Sequence, residues 1–262
     1  MVEERKKVEI EYYDKRAEDW LKDSSREKWQ SDFEGFVPIT LSSYRFFYEL
    51  LKRNCRGKKV LDYGCGNGVH SVFPVKWGAE KVVGIDLSEP SLQIAREKAK
   101  KEGLGDKTEF MAMDCEKMSF PDNFFDVVLD GGTFSSLDLN LALPELARVL
   151  RPGGLLIGIE TFGHNPFTNL KRKINKLIGK RTEWASEHIL RTENLEKAKH
   201  YFNKVEVKYF HLVSWMIFPF LGLPGAKILL KIFEILDKIL LTLSFLRKYA
   251  FKVVFIFSGP IK

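Results

Sequence analysis

Short apolar runs alternate with helix-like segments through the middle of the chain. The β-prone runs lie at residues 59–61, 81–86, 110–115, 125–130 and 155–160, and helical spacing of apolar residues falls between them at 70–77, 91–102 and 141–150. Such alternation predicts an α/β fold with a doubly wound, mostly parallel sheet. Because crossovers between parallel strands are right-handed, the loops that follow these strands should meet at one edge of the sheet.

Three glycines follow the first predicted strand at alternating positions, Gly64, Gly66 and Gly68. Residues without a Cβ let the backbone turn sharply and let a ligand come close. The spacing matches neither the dinucleotide fingerprint nor the P-loop, so a phosphate cradle is disfavoured here. Asp62 stands just before the glycines, and a carboxylate suits a ligand that carries an ammonium group.

A second carboxylate, Asp86, ends the second predicted strand about twenty residues beyond the glycines, the spacing that ribose recognition requires. The alternative is that Asp86 caps the helix that begins near Pro90. Since Ser88 can cap that helix instead, we assign Asp86 to the ribose hydroxyls.

Residues 60–68 resemble the first motif of the class I S-adenosylmethionine-dependent methyltransferases. The later strands of that family are resembled, in the same order, by residues 82–88, 110–115, 125–130 and 150–157. The resemblance is close from about residue 55 to about residue 161. It implies a seven-stranded sheet of order 3-2-1-4-5-7-6, S-adenosyl-L-methionine as cofactor and S-adenosyl-L-homocysteine as product.

The resemblance also implies roles for individual residues. Asp114 would accept from the adenine amino group, the backbone N–H of Cys115 would donate to the ring, and Leu87 would lie against it. Gly131 would let the main chain approach the methionine moiety, which Asp130 would orient. The whole implied cofactor set is Tyr12, Tyr13, Trp20, Asp62, Gly64, Cys65, Gly66, Asp86, Leu87, Met113, Asp114, Cys115, Asp130 and Gly131. No metal site is predicted.

An N-terminal helix is predicted over residues 8–30, within a helical cap formed by residues 1–54. Its Tyr12, Tyr13 and Trp20 resemble the segment that many small-molecule methyltransferases fold over the cofactor. For Trp20, simple packing on the sheet is an equally good interpretation.

The last two strands, predicted at 204–215 and 253–258, are separated by far more residues than a hairpin loop needs. The intervening residues 216–250 are predicted to be an apolar, amphipathic helical insertion, and residues 55–215 plus 251–262 form the methyltransferase-like domain. A helix over 227–246 with a wide apolar face is typical of a membrane interface. It is also typical of a lid or a homodimer contact.

Charge is distributed unevenly along the chain. Residues 1–161 carry 24 Lys and Arg against 28 Asp and Glu, whereas residues 162–262 carry 18 against 7, a balance of +11. Part of this surplus lies in Lys171, Arg172, Lys173, Lys176, Lys180 and Arg181. The basic run is interpreted either as a solvated helix face or as a contact with phosphates of lipid or RNA.

Three residues after the fifth strand are candidates for a general base, namely His164, Glu187 and His188. Imidazole titrates near neutrality and suits proton transfer. Structural hydrogen bonding is the competing interpretation for each. A base is also optional, because positioning alone can drive transfer of a sulfonium-bound methyl group.

The favoured function is methyl transfer to an amphiphilic or lipid-linked acceptor at a membrane surface. The alternatives are a soluble small-molecule methyltransferase and a non-catalytic cofactor-binding regulator. A nucleic-acid partner is disfavoured because no element for a flipped base follows the fourth strand. The charged first residues and the three cysteines without metal-ligand spacing favour the cytoplasm, with peripheral attachment at the inner face of the membrane.

Overall fold

The computed structural model describes residues 3–22, 41–177, 179 and 181–262. Helices and strands alternate through the central part, as predicted. The strands are β1 Lys59–Tyr63, β2 Lys81–Asp86, β3 Thr108–Ala112, β4 Phe125–Asp130, β5 Leu150–Thr161, β6 Phe202–Phe210 and β7 Lys252–Pro260. The α-helices are α1 Glu4–Lys22, α2 Ser42–Asn54, α3 Val72–Lys76, α4 Glu89–Lys101, α5 Leu139–Val149, α6 Pro166–Leu177, α7 Glu183–Glu187, α8 Thr192–Ala198, α9 Ala226–Leu240 and α10 Ser244–Arg247.

All seven strands form one sheet of order β3-β2-β1-β4-β5-β7-β6, which confirms the predicted fold class. Strands β1 to β5 are parallel, and β7 pairs antiparallel with both β5 and β6. Tyr63 at the end of β1 pairs with Ile85 of β2 and Asp130 of β4. This register brings the carboxyl ends of the central strands level, and the loops that follow them share one edge.

Alternate residues of each strand pack on opposite faces of the sheet. Leu61 and Val128 belong to one buried cluster, whereas their neighbours Val60 and Val127 belong to a second. Helices cover both faces, because each strand has apolar residues at both odd and even positions. The sheet is therefore a rigid platform for the loops at its edge.

Several element ends differ from the predictions. The sixth strand ends at Phe210 and does not reach residue 215, because His211 adopts φ of 62° and a 3-10 helix, Ser214–Phe220, follows. Helix α9 ends at Leu240, where Arg247 donates hydrogen bonds to the carbonyls of Leu241 and Thr242 just beyond it. Helix α1 ends at Lys22, and residues 23–30 of the predicted N-terminal helix lie outside the described residues.

The insertion between β6 and β7 turns its carboxylates inward. Glu234 of α9 accepts hydrogen bonds from the backbone N–H of Ser42 (2.7 Å) and from Arg45 (2.8 Å). Asp237 accepts from the backbone N–H groups of Val213 (2.7 Å) and Ser214 (3.3 Å). Both carboxylates are buried, so the polar side of α9 fastens the insertion to α2 and to the end of β6.

The opposite side of α9 is apolar and faces solvent. Ile228, Ile232 and Ile239 are 68%, 56% and 63% exposed. Helix α6 has a similar exposed stripe made of Phe167, Leu170, Ile174 and Leu177. The ring of Phe167 on α6 lies 6.5 Å, centroid to centroid, from that of Trp215 in the 3-10 helix that precedes α9. We call these exposed side chains of α6 and α9 the apolar surface.

Substitution of Glu234 tests how the insertion is anchored to the rest of the protein. Replacing Glu234 with Ala removes the acceptor of the Ser42 N–H and the ion pair with the exposed Arg45, and loss of the acceptor for a buried amide costs about 1–3 kcal/mol. Thermal unfolding should show a lower transition temperature, and limited proteolysis should cut residues 211–251 faster. Lys231→Ala, an exposed change on the same helix, should leave both unchanged. Equal behaviour of the two variants would contradict this role for Glu234.

Candidate functional site

A cavity of about 210 Å³ opens at the carboxyl edge of the sheet, beneath α1. We call it the edge pocket. Its walls come from the loops after β1 to β4 and from the first turns of α1. The lining residues are Lys6, Glu9, Ile10, Tyr13, Gly64, Gly66, Asp86, Leu87, Ser88, Ser91, Asp114, Cys115, Glu116, Gly131, Gly132, Thr133, Ser136 and Leu137.

The glycine loop forms one wall, and its shape requires glycine. Gly64 and Gly66 have φ of 67° and 49°, the left-handed region that glycine adopts freely. A Cβ on Gly64 would lie 2.3 Å from the side chain of Thr133, whose hydroxyl donates to the carbonyl of Tyr63 (3.0 Å). The loops after β1 and β4 are therefore packed directly against each other.

Asp86 lines the pocket and also fixes the glycine loop. One carboxylate oxygen accepts from the backbone N–H of Gly66 (2.9 Å), and the other accepts from that of Ser88 (2.9 Å). Burial raises the pKa of Asp86 above its ordinary value, and the backbone donors oppose that rise. The sequence predicted a ligand role for Asp86, but it gave no signal for this second role as a clamp.

Helix α1 covers the edge pocket and is held there by ion pairs. Lys6 lies 2.6 Å from Asp114 and 2.7 Å from Glu116, and Arg5 lies 2.5 Å from Glu116. Glu9, one turn before Tyr13, is buried in the pocket wall, and both its carboxylate oxygens are without a hydrogen-bond partner among the described residues. Sequence reasoning missed Glu9, although its spacing from Tyr13 places the two on the same helix face.

Not every predicted cofactor residue reaches the edge pocket. Tyr13, Gly64, Gly66, Asp86, Leu87, Asp114, Cys115 and Gly131 line it, whereas Trp20, Cys65, Met113, Asp62, Asp130 and Tyr12 are not among its lining residues. Asp62 is buried and accepts from the hydroxyl of Ser71 (2.5 Å). Burial raises its pKa to about 7. A direct contact between Asp62 and a ligand's ammonium group is therefore not supported by this geometry.

Asp130 likewise serves the backbone. It accepts from the N–H groups of Thr133 (2.9 Å) and Gly132 (3.3 Å), which fixes the turn after β4. A Cβ on Gly131 would lie 2.4 Å from the ring of His70. His70, a residue that the sequence did not single out, shares a hydrogen bond of 2.9 Å with the Tyr48 hydroxyl. Burial lowers its pKa to about 3, so the ring is neutral.

A second cavity of about 280 Å³ adjoins the edge pocket. We call it the polar groove. It shares Tyr13, Gly131 and Gly132 with the edge pocket. Its remaining walls are Tyr12, Arg16, Ser135, Glu160, Thr161, Asn175, Arg181, Thr182, Ala185 and Lys252. A small molecule in the groove would thus meet a ligand of the edge pocket across this shared wall.

Glu160 is the titratable carboxyl of the polar groove. Its oxygens accept from the backbone N–H groups of Phe134 (2.6 Å) and Thr161 (3.2 Å). Burial raises its pKa to about 7, and Lys252 opposes that rise. The pKa of nearby Asp130 is raised well above its ordinary value by burial and by the charge of Glu160. Glu160 can consequently hold or release a proton near neutrality.

The three predicted bases lie elsewhere. His164 accepts from the backbone N–H of Thr192 (3.1 Å), and His188 stacks on Trp184 with ring centroids 3.6 Å apart. Glu187 is exposed and lies 3.3 Å from Lys176. None of the three lines the edge pocket or the polar groove. Their role as a base has no support from this geometry, which favours Glu160.

Comparisons with known proteins agree with this architecture. Residues 61–158 match the family model described as "Methyltransferase domain". A demethylmenaquinone methyltransferase of Bacteroides fragilis is 36% identical over 107 residues, which cover 40% of this chain and 44% of the relative. A phosphatidylethanolamine N-methyltransferase of Cereibacter sphaeroides is 30% identical over 149 residues, covering 55% of this chain and 72% of the relative.

The chain belongs to the class I S-adenosylmethionine-dependent methyltransferases. A solved relative in fold is geranyl diphosphate C-methyltransferase from Streptomyces coelicolor A3(2), with S-adenosyl-L-homocysteine bound. Its TM-score is 0.59 at 16% identity, and the match covers 83% of this chain and 76% of that chain. The chain spans less than half the length of the Bacteroides fragilis methyltransferase.

The family's cofactor is S-adenosyl-L-methionine, and the edge pocket suits it chemically. The cofactor carries a sulfonium and an ammonium group, and the unpaired carboxylate of Glu9 offers a negative partner inside the pocket. Asp86 and Asp114 supply acceptors for hydroxyl and amino donors, and Leu87 supplies an apolar wall. Because Gly64 and Gly66 have no Cβ, a ligand can come close to the backbone at these two positions. These residue roles stay predictions.

Asp86 provides a direct test of the pocket. We expect Asp86→Ala to weaken S-adenosyl-L-homocysteine binding at least tenfold, because the variant loses a ligand acceptor and the clamp on Gly66. Isothermal titration calorimetry would measure the dissociation constant. The control is Glu89→Ala, an exposed carboxylate that pairs with Arg96 (2.6 Å) and should bind as the wild type does. Unchanged affinity in Asp86→Ala would sink the assignment.

Glu160 provides a second test, through pH. The folded protein raises the pKa of Glu160 from 4.5 to about 7, so the folded state holds this proton more tightly than the unfolded chain. The stability that Glu160 contributes is therefore present below pH 4.5 and is lost as pH rises towards 7. Chemical denaturation at pH 4.5 and pH 7.5 should show a smaller loss across this window for Glu160→Gln, by about 1–3 kcal/mol. Identical losses in the two proteins would contradict the raised pKa.

Proposed function

We propose that this chain transfers the methyl group of S-adenosyl-L-methionine to an amphiphilic or lipid-linked acceptor at the surface of an anionic membrane. The apolar surface of α6 and α9 is the observation that carries the membrane part of this proposal. Exposed apolar side chains that follow one another along two helices are unusual on a soluble monomer and mark an interaction site.

The arrangement of α9 supports a membrane over ordinary packing. Its carboxylates Glu234 and Asp237 point into the protein, while its isoleucines face outward. A surface helix that only packs on its own core does the reverse. Among the helices of the described ranges, none has the length and apolar content of a bilayer-spanning segment. An interfacial position in the headgroup region fits such a helix.

Charges around the apolar surface point to anionic headgroups. Lys227, Lys231 and Lys238 of α9 are exposed, as are Lys171 and Lys173 of α6. They belong to the basic half of the chain, residues 162–262, with its balance of +11. Lysines beside an interfacial apolar face attract anionic lipids, at about 1 kcal/mol for each residue near the surface.

The names of two relatives support a lipid-like acceptor. One is a demethylmenaquinone methyltransferase and the other a phosphatidylethanolamine N-methyltransferase. Asn175 of α6 lines the polar groove, and the exposed Ile174 precedes it on the same helix. An amphiphile could place its polar head in the groove and keep its tail along α6.

The shared wall of the two cavities is where transfer would occur. S-adenosyl-L-methionine supplies an electrophilic methyl group when bound. An electron pair of the acceptor would form the new bond to the methyl carbon, and the electron pair of the broken S–C bond would stay on sulfur. Tyr13 and Gly131 would set the approach, since positioning accounts for much of such a barrier. Glu160 would take a proton that the acceptor releases.

Membrane attachment can be tested with substitutions that leave the folded core alone. We expect the triple change Ile228→Gln, Ile232→Gln and Ile239→Gln to weaken binding to vesicles of phosphatidylcholine and phosphatidylglycerol at least tenfold, because buried apolar area is lost. Co-sedimentation with vesicles measures the change. Leu141→Gln, at an exposed leucine of α5, is the matched control and should bind normally.

Salt and oligomeric state separate the alternatives. Wild-type binding to these vesicles should weaken in 0.5 M NaCl, because the Debye length, roughly 10 Å at 0.1 M salt, becomes shorter as the salt concentration rises. Vesicle binding that survives the triple change would remove the interfacial role of α9. If wild-type protein ignores vesicles but forms a dimer that the triple change dissociates, the apolar surface is a subunit contact instead.

A further inference from the structure

The polar groove carries positive charge that no carboxylate of the described residues neutralises by direct pairing. Arg16, Arg181 and Lys252 all line it, and none of the three forms an ion pair within the described part of the chain. Many other cations of this protein do form such pairs, for example Lys6, Arg45 and Arg148. Three unpaired cations that converge on one cavity indicate an anionic ligand.

Each cation is held in place by neutral groups. Arg181 donates to the hydroxyl of Ser135 (3.1 Å) and to the carbonyl of Ala185 (3.0 Å). Lys252 lies 5.0 Å from the ring centre of Tyr44, and Arg16 lies 5.6 Å from that of Tyr12. Glu160 of the same groove interacts with the charges of Lys252 and Arg181. One carboxylate does not balance three cations, so the groove keeps an excess of positive charge for a ligand.

We propose that the polar groove binds a phosphoryl group of the methyl acceptor through Arg16, Arg181 and Lys252. This inference rests on the proposed methyl transfer and adds a chemical class to its acceptor. A guanidinium offers paired donors that match phosphate oxygens, and an ammonium adds a point charge. Three positive charges also suit a phosphate of one or two negative charges better than a single carboxylate.

The three cations lie where they could anchor the acceptor for methyl transfer. Arg181 comes from the segment before α7, Lys252 opens β7 and Arg16 belongs to α1, so the three approach from different elements. The wall shared with the edge pocket, Tyr13 and Gly131, belongs to the same groove. A phosphoryl group held by the cations would anchor the acceptor while its nucleophile reaches that wall. Glu160 would accept the released proton or attract a positively charged nucleophile.

The basic run of the sequence is divided by the fold. Arg172 is buried and donates to the carbonyl of Phe162 (3.1 Å), and Lys176 pairs with Glu183 (2.5 Å). Among the described residues of this run, Arg181 alone lines the groove. The phosphate contact is therefore assigned to residues that are far apart in the sequence, and not to the helix α6 as a whole.

The test measures binding of two probes to the full chain saturated with S-adenosyl-L-homocysteine. The probes are sn-glycerol 3-phosphate and dioctanoyl phosphatidic acid below its critical micelle concentration. Calorimetry should detect binding of at least one of them, and Arg181→Gln combined with Lys252→Gln should weaken it at least tenfold. Arg16→Gln alone should weaken it less, because its side chain is exposed. Lys204→Gln, an exposed lysine that pairs with Glu206, is the control and should bind as wild type does.

The two probes distinguish a free phosphate from a lipid headgroup. At least tenfold tighter binding of the dioctanoyl lipid would indicate a lipid-borne phosphate whose tails reach the apolar surface. Equal binding would indicate a soluble phosphate ester. Binding of neither probe, or binding that the double variant retains, would overturn the inference. Because S-adenosyl-L-homocysteine binding is measured in the same samples, failure of the phosphate site is distinguishable from failure of the methyltransferase proposal.

Discussion

Buried carboxylates that accept hydrogen bonds from backbone amides hold the functional edge of this molecule together. Asp86 fixes the glycine loop, Asp130 fixes the turn after β4, and Glu160 holds the N–H of Phe134. Burying a carboxylate is costly unless donors compensate for lost water. The raised pKa values of these groups record that cost. The loops gain a fixed geometry in return, and that geometry is what a cofactor and an acceptor require of a transfer site.

The same arrangement recurs beyond the end of the outer strand β6. Glu234 and Asp237 bind backbone amides of Ser42, Val213 and Ser214, and so turn the polar side of α9 inward. The consequence is that the isoleucines of α9 must face out. The exposed apolar surface is therefore a product of how the insertion is anchored, and it lies on the basic half of the chain. A membrane surface complements both properties at once.

Local sequence patterns predicted most of the fold. The period of apolar residues predicted β1 to β5, because each strand pattern is short, bounded by turns and followed by a helix, whereas the order of the strands in the sheet came from the family resemblance. Strand and helix ends were less accurate: nothing local marks the left-handed backbone of His211 that ends β6. That Asp86 and Gly64 lie at the edge pocket could be predicted from their places at the ends of β2 and β1, and the position of Asp114 from the family resemblance. Their cofactor roles stay predictions.

Residues that act through tertiary contacts escaped prediction. Glu9 lines the edge pocket only because α1 folds over it, and His70 packs behind Gly131 only because the turn after β1 folds against the loop after β4. Glu160 looked like an ordinary strand residue, yet its burial beside Asp130 gives it titration near neutrality. In contrast, His164, Glu187 and His188 had the right chemistry but lie outside both cavities. Residue type therefore identified candidate chemistry, while convergence of distant segments decided where it could act.

Methyl transfer to an amphiphilic acceptor can be tested directly. The most direct measurement uses S-adenosyl-L-methionine with a labelled methyl group, incubated with the protein and a whole extract of its source cells, followed by separation into lipid, RNA, protein and small-molecule fractions. Enzyme-dependent label should appear in the lipid fraction. Label confined to the water-soluble fractions, or no label from protein that binds S-adenosyl-L-homocysteine, would contradict it.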